Sequence, residues 1–288
     1  MQIIHTISEL RQTVTSFRQA GKIIGFVPTM GNLHQGHLQL VEMALSQADI
    51  VICSIFVNPL QFGEGEDFEQ YPRTLQEDAD KLQQAGCDII FAPAVAEMYP
   101  DLELDGQAQS QVQSQVIVPG ISNILEGAAR PGHFTGVATV VAKLFNMVQP
   151  DKAVFGAKDY QQLQVIKQFV SDLCFPIEII AHPIVRESNG LALSSRNGYL
   201  SEVQKQQASA IYQTLQDLSK QIIAGAQNYE ELEQQAVAHL NAQGFVTDYI
   251  SIRAADLSAA TASHKHLVVL AASYLGTTRL LDNIEIEL

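Results

Sequence analysis

The sequence predicts an α/β fold: a Rossmann-like, doubly wound parallel sheet followed by a smaller C-terminal α+β domain. Short apolar runs at residues 23–27, 50–57, 88–92, 153–155 and 177–180 have strand length and little polar alternation, as strands buried on both faces do. Between them apolar residues recur at helical spacing, so strand and helix alternate and the crossovers are expected to be right-handed. After His182-Pro183 this alternation stops and two long helices precede three β-rich runs, which marks a second domain.

In chain order, residues 6–20 read as a helix with Thr6 or Ser8 as cap, Leu10, Val14 and Phe17 on one face and Gly21 at the end. The run 23–27 is a strand, and Leu38, Val41, Leu45 and Ala48 define the helix after it. The strand 50–57 stops at Asn58-Pro59-Leu60-Gln61-Phe62, because Pro59 cannot continue a central strand. An acidic loop at 63–70 leads to a helix over 74–85 closed by Gly86, then the strand 88–92. Residues 101–118 include a Gln- and Ser-rich segment, 107–115, that reads as an excursion or an edge strand without chemistry. A loop at 126–134 ends in a helix whose buried stripe is Val137, Val140, Val141, Leu144, Phe145 and Val148. The strand 153–155, a helix to about 173 and the strand 177–180 complete the five-stranded sheet. A boundary at 176–186 separates residues 1–180, which carry the alternating strands and helices, from a smaller helical and antiparallel-sheet domain over 181–288. There, Ser201 and Gln204 form a capping-box pattern opening a helix to about 225; a helix at 229–243 and strands at 245–252, 267–274 and 279–286 follow.

Composition narrows the function. A net charge of −14 repels a polyanion over the whole surface, which argues against nucleic-acid binding. No apolar run is long enough to cross a bilayer and the first residues lack the basic and apolar regions of a signal peptide, so the expected compartment is the cytoplasm. Cys53, Cys87 and Cys174 are odd in number and far apart, and are expected to be buried free thiols rather than a zinc site.

The chemistry centres on the turn from Pro28 to His37. It follows a buried strand and opens a helix, the place where backbone amides meet phosphate, and Gly31 and Gly36 permit close backbone approach. His34 and His37, three apart at the helix start, share a face and can reach one anion. The competing reading is that either histidine merely caps the helix. A second strand-to-helix junction, Gly156-Ala157-Lys158-Asp159, carries a lysine suited to phosphate. There Asp159 and Gln162 have capping-box spacing, yet could equally meet a ribose and a small polar substrate. Past the domain boundary, Val185-Arg186 and Leu191-Ala192-Leu193-Ser194-Ser195-Arg196-Asn197 place two hydroxyls and a guanidinium where a loop could close over a triphosphate; alone they would read as a polar loop. Arg130 alone would read as a solvated loop arginine.

The H-x-G-H pattern resembles the nucleotidyltransferase superfamily that includes class I aminoacyl-tRNA synthetases. The strings PTMGNLHQGH, FVNPLQF, RPGHF, GAKDYQQL and LALSSRNGYL, in this order across residues 28–200, are similar to those of the pantothenate synthetase family. The resemblance implies a Rossmann-like domain, a C-terminal lid and a homodimer that joins pantoate to β-alanine through a pantoyl adenylate, releasing pyrophosphate and then AMP. It implies ATP against Met30, Gly31, Asn32, Leu33, His34, Gln35, Gly36 and His37, against Gly156, Ala157, Lys158 and Asp159, and against Val185, Leu193, Ser194, Ser195 and Arg196. Gln61 and Gln162 would hold pantoate, Gln61 also lying near β-alanine, with Arg130 on the pantoate side. His37 corresponds to the family's proton donor, His34 and Lys158 share the phosphate charge, and Arg196 belongs to the catalytic set. Leu193 stands where relatives carry methionine, a swap that conserves volume. No dense His or carboxylate cluster suggests a protein-held metal, so Mg2+ is expected on ATP. The rival readings are an adenylyltransferase that stops at AMP transfer, which gives no reason for the paired glutamines, and a regulatory ATP sensor, which would need no lid.

Overall fold

The computed structural model describes residues 1–63, 65–66, 68–102, 112 and 114–288, and the chain forms two compact units. The first comprises Met1–Ala157 and Gln162–His182, the second Lys158–Gln161 and Pro183–Leu288.

In chain order the first unit contains β1 (Gln2–Ile4), α1 (Ile7–Gln19), β2 (Ile24–Thr29), α2 (Gln35–Leu45), β3 (Ile50–Ile55), α3 (Leu75–Gln84), β4 (Ile89–Phe91), α4 (Val95–Met98), α5 (Leu125–Ala129), α6 (His133–Val148), β5 (Lys152–Gly156), most of α7 (Tyr160–Asp172) and β6 (Glu178–His182). The strands form one parallel sheet in the order β1-β4-β3-β2-β5-β6. Its two faces differ in what they bury, because successive residues of a strand point to opposite sides. Val27 and Cys53 join Val41 and Ala44 of α2 and Leu82 of α3 in one core. The neighbouring residue Phe26 lies edge-on to Phe145 of α6, which also packs on Phe155, Phe169 and Phe175. Phe26, Phe145 and Phe169 are fully buried, each stabilising the fold by roughly 1.5–3 kcal/mol relative to exposure.

The sequence pattern yields five of these six strands. The sixth, β1, is three residues long and leaves no periodicity to read; it is an edge strand paired with β4, and its Ile4 is fully buried. Two further differences concern helices. Part of the expected loop at 126–134 is the short helix α5, with Arg130 at its C-cap. The expected helix from 201 to 225 is divided: the Ser201–Gln204 capping box forms and opens α8 (Glu202–Ala208), and α9 (Ala210–Ile223) begins anew after Ser209. Cys174 is exposed, with φ of 55°, against the expectation that all three thiols are buried; Cys53 and Cys87 are buried, and all three are free. Most of the Gln-rich segment 107–115 lies outside the described residues, so its reading as an edge strand does too.

The second unit contains α8, α9 and α10 (Tyr229–Ala242) and an antiparallel sheet of β7 (Val246–Ala254), β8 (His266–Leu275) and β9 (Thr278–Glu287) in that order. Leu275 and Thr278 pair across a two-residue turn in which Gly276 has φ of +62°, as such hairpin turns require. Leu215, Leu240 and Val269 are fully buried at the centre of this unit's core. Arg186 is held by paired bonds to Asp282 Oδ1 and Oδ2 at 2.8 and 2.7 Å and lies 3.7 Å from the Tyr212 ring centroid.

Candidate active site

The strand order of the large sheet reverses between β2 and β5, and in such sheets ligands lie beyond the carboxyl ends of the strands at this reversal. The turn after β2 is the two-histidine stretch, and β5 ends at Gly156.

Each residue of the turn has a defined support. Thr29 Oγ1 donates to the Ser54 carbonyl at 2.7 Å and accepts from Gly31 N at 3.2 Å. Gly31 has φ of +84°, and a Cβ there would lie 3.1 Å from Asp78 Oδ2 and from the Ile55 side chain, so both its conformation and its surroundings favour glycine. Asn32 follows with φ of 51°. From α3, Asp78 accepts the backbone N–H of Asn32 at 2.8 Å and of Leu33 at 2.7 Å, while Lys81 donates to the Leu33 carbonyl at 2.8 Å.

The helix start itself differs from the expected set of uncapped amides. His34 is the N-cap of α2: its Nδ1 accepts from Gly36 N at 3.1 Å, and its carbonyl accepts from His37 N and Leu38 N. His37 reciprocates, its Nδ1 accepting from His34 N at 3.3 Å. Both the capping reading and the shared-face reading therefore hold, since the ring centroids are 4.1 Å apart. An imidazole nitrogen that accepts carries no proton, so in its neutral form each ring carries its N–H on Nε2. Capping thus fixes both tautomers. The two imidazoles stand side by side at the turn, and the amides of Asn32, Leu33, Gly36, His37 and Leu38 are bonded within the protein.

Gln61 ends the 3-10 turn Pro59–Gln61 and is buried. Asn58 Nδ2 donates to Gln61 Oε1 at 3.1 Å and to the Gly136 carbonyl at 3.2 Å, while Asn58 Oδ1 accepts from the Tyr99 hydroxyl at 2.9 Å. Burial raises the Tyr99 pKa and keeps that hydroxyl a donor. Gln61 Nε2 lies 3.1 Å from Met30 Sδ, which brings the expected acid-binding glutamine to the signature turn.

Arg130 is committed within the protein. Its Nε and NH2 donate to the two carboxylate oxygens of Glu66 at 2.7 and 2.6 Å, and NH1 lies 3.7 Å from Glu126. Burial opposes the charge on Glu66, but the Arg130 hydrogen bonds and charge outweigh it and hold the carboxyl below its ordinary value. His133 Nδ1 lies 2.9 Å from the Gln61 carbonyl, which can only accept, so Nδ1 carries the proton and Nε2 accepts from Arg130 NH1 at 3.2 Å. Arg130, which alone would read as a solvated loop arginine and which the resemblance puts on the pantoate side, is bonded to Glu66, His133 and the Gln61 carbonyl.

The expected site is divided between the units. Met30 to His37, Gln61, Arg130, Gly156, Ala157 and the half-buried Gln162 belong to the first; Lys158, Asp159, Val185 and Leu193 to Arg196 belong to the second. In the second unit Asn283 Nδ2 donates to the Lys158 carbonyl at 2.9 Å, and Lys158 Nζ lies 3.6 Å from Asp159. The Val185 carbonyl accepts from Leu193 N at 2.9 Å, and Ser194 caps the turn Ser195–Tyr199 through Arg196 N. A shallow cleft of about 800 Å3 in the same unit, lined by residues of α10 and β7 such as Glu233 and Arg253, shares no residue with this set.

Asn58, Glu66, Asp78, Lys81 and His133 support the site and are not singled out by sequence. Asp78 has a usable signal: it stands with Leu75, Ala79 and Leu82 on the apolar face of its helix, where an acid needs a reason to be. The other four sit in loops, at helix starts or on a polar helix surface, where polar residues are ordinary.

A parallel sheet with a two-histidine helix start at its reversal point has the geometry of a nucleotide-handling α/β enzyme. The family model described as pantoate-beta-alanine ligase matches residues 2–285. Proteins named pantothenate synthetase from Pseudomonas fluorescens and Pseudomonas putida are 55% and 54% identical over 289 aligned residues, covering all of this chain and 99% and 98% of theirs. The crystal structure of pantothenate synthetase from Thermus thermophilus superposes with a TM-score of 0.90 at 43% identity over the whole of both chains. That of the Francisella tularensis pantoate-beta-alanine ligase, complexed with beta-gamma ATP and beta-alanine, gives 0.78 at 36% identity, covering 99% of this chain and 97% of that one. This chain belongs to the pantoate-beta-alanine ligase family.

Proposed function

We propose that this chain condenses (R)-pantoate with β-alanine at the expense of ATP. A pantoate carboxylate oxygen attacks the α-phosphorus, the bond to the bridging oxygen breaks, and pyrophosphate leaves. The amine of β-alanine then attacks the acyl carbon of the bound pantoyl adenylate, the acyl C–O bond breaks, AMP leaves and the nitrogen loses a proton. Neither step needs an enzyme nucleophile; both need alignment and stabilisation of negative charge. The observation that carries the reading is the pairing of His34 with His37 at the sheet reversal, with Gln61 beside Met30.

In this reading ATP lies against Met30 to His37, Gly156 to Asp159, Val185 and Leu193 to Arg196, with His37 as proton donor and His34, Lys158 and Arg196 facing the phosphate charge. Gln61 and Gln162 hold pantoate, and Arg130 shapes that side through the Gln61 backbone. Mg2+ enters on ATP and keeps most of its waters. Residues 1–180 serve nucleotide binding and homodimerisation, 181–288 act as a lid that keeps water from the adenylate, and the enzyme works in the cytoplasm. Among the described residues no helix is long and apolar enough to cross a membrane.

The test is product identity by mass spectrometry from purified protein with Mg-ATP and pantoate, with and without β-alanine. AMP and pantothenate formed only with both substrates support the ligase; intact ATP in the complete mixture overturns it.

A further inference from the structure

We infer that Asp78 is a positioning residue for the His34–His37 pair, acting through the backbone of the signature turn rather than by touching substrate. Its carboxylate is 0% exposed, and a buried charge persists only where donors surround it. Two of those donors are consecutive amides of the turn, Asn32 N and Leu33 N, and a third is the Thr74 hydroxyl at 3.0 Å. The bonded segment is conformationally unusual. Gly31 and Asn32 both have positive φ, a region that glycine and asparagine enter more readily than other residues, and Asp78 bonds the Asn32 amide in that conformation. One turn further along α3, Lys81 takes the Leu33 carbonyl, so one helix face grips the segment by both its donors and its acceptor.

The next residue is His34, whose backbone and side chain carry the cap that fixes both imidazoles. A shift of residues 32–33 therefore moves the two rings together. Because Asp78 already occupies these amides, the turn is shaped before any nucleotide arrives, and phosphate charge falls to the side chains. An isolated carboxylate in a helix-packing interface would be a poor structural choice; one bonded to two successive amides of a catalytic turn has a positional purpose.

The inference rests on the ligase reading for its kinetic arm and is independent of it for the other. Asp78→Asn keeps the volume but replaces one acceptor oxygen by a donor facing a backbone N–H. In the full-length protein, kcat for pantothenate formation is expected to fall about 10- to 100-fold, the scale of a reacting group displaced by ~1 Å, with the Kd for ATP within about threefold of wild type. Hydrogen exchange at Asn32 and Leu33 in the ligand-free protein should quicken by about tenfold or more while β2 and β3 stay protected, a change that a general loss of stability would not confine to the turn. Lys81→Met, which leaves the buried carboxylate in place, should lower kcat in the same direction by a smaller factor. Wild-type kcat in folded Asp78→Asn, or a loss confined to ATP binding, would overturn the assignment. If Asp78→Asn does not fold, wild-type kcat in Lys81→Met overturns it instead. Should the wild-type protein form no pantothenate, the ligase reading fails, and unchanged exchange at residues 32 and 33 in Asp78→Asn would separately remove the clamp.

Discussion

Replacing Gly136 by alanine should damage the proposed pantoate side of the site by forcing α6 away from the turn that carries Gln61. Gly136 lies in α6 against the turn Pro59–Gln61, and a Cβ there would sit 2.2 Å from the Leu60 carbonyl oxygen and 2.7 Å from Gln61 Cα. Ordinary contact begins near 3.4 Å, so helix and turn must separate by about 1.2 Å, and the obstructing atoms are backbone. Helix propensity alone would favour alanine by about 1 kcal/mol. Against this stand about 1–3 kcal/mol for overpacking and about 1 kcal/mol for the Asn58 bond to the Gly136 carbonyl, so the net effect is destabilising. Since a change of about 1 kcal/mol moves the melting temperature of a chain this size by about 2–4 °C, a fall of several degrees is expected. The functional effect is larger. Gln61 rides on the displaced turn, and a misplacement of ~1 Å costs on the order of 100-fold in rate. The assay is kcat/KM for pantoate from AMP release, beside calorimetric ATP affinity and a thermal melt. A variant with wild-type kcat/KM for pantoate and an unchanged melting temperature would refute the packing argument.

Three further outcomes follow from the same geometry. His37→Ala should lower kcat much more than it raises KM for ATP, by about 100-fold or more if the imidazole acts chiefly in the transition state; a change confined to KM would remove that role. Glu66→Gln should lower the melting temperature at about pH 7, and the gap should close in acid. The Glu66 carboxyl lies below its ordinary value in the folded protein, so its contribution is present above the unfolded glutamate range and lost as pH falls through the folded value; a gap that persists well below about pH 4 by melts across a pH series would contradict this. Of the three thiols, the exposed Cys174 should react first with a thiol reagent at about pH 8, because burial pushes Cys87 up to about 11 and raises Cys53 as well. Mass mapping of the first labelled cysteine decides it.

The sheet is legible in the sequence because its central strands are apolar with little interruption, as Val51 to Ile55 and Ala153 to Phe155 show, and because each ends at a turn residue. β1 is not, since three residues cannot display a period and Ile4 alone faces the core. The candidate site is legible in part for a similar reason. His34 and His37 lie within one short string, whereas the groups that hold them, Asp78 and Lys81, are brought to the turn only by tertiary packing. The same separation hides Glu66 from Arg130, sixty-four residues away. The helix cap is only half legible because histidine is not a common capping residue, and the two rings close the amides of Gly36 and His34. The break at Ser209 falls between two segments with good helical periodicity, and such interruptions are set by what each half packs against.

If pantoate binds beside Gln61 as proposed, the pairing of Arg130 with Glu66 bears on inhibitor design. An acidic mimic of pantoate aimed at this guanidinium would have to displace a carboxylate already bonded through two nitrogens, exchanging one anion for another while also losing the hydration of its own charge. The better-matched handle is the neutral amide of Gln61, whose nitrogen meets the weakly accepting thioether of Met30. A carbonyl or hydroxyl oxygen placed there would replace a poor acceptor by a good one and leave the arginine pair undisturbed.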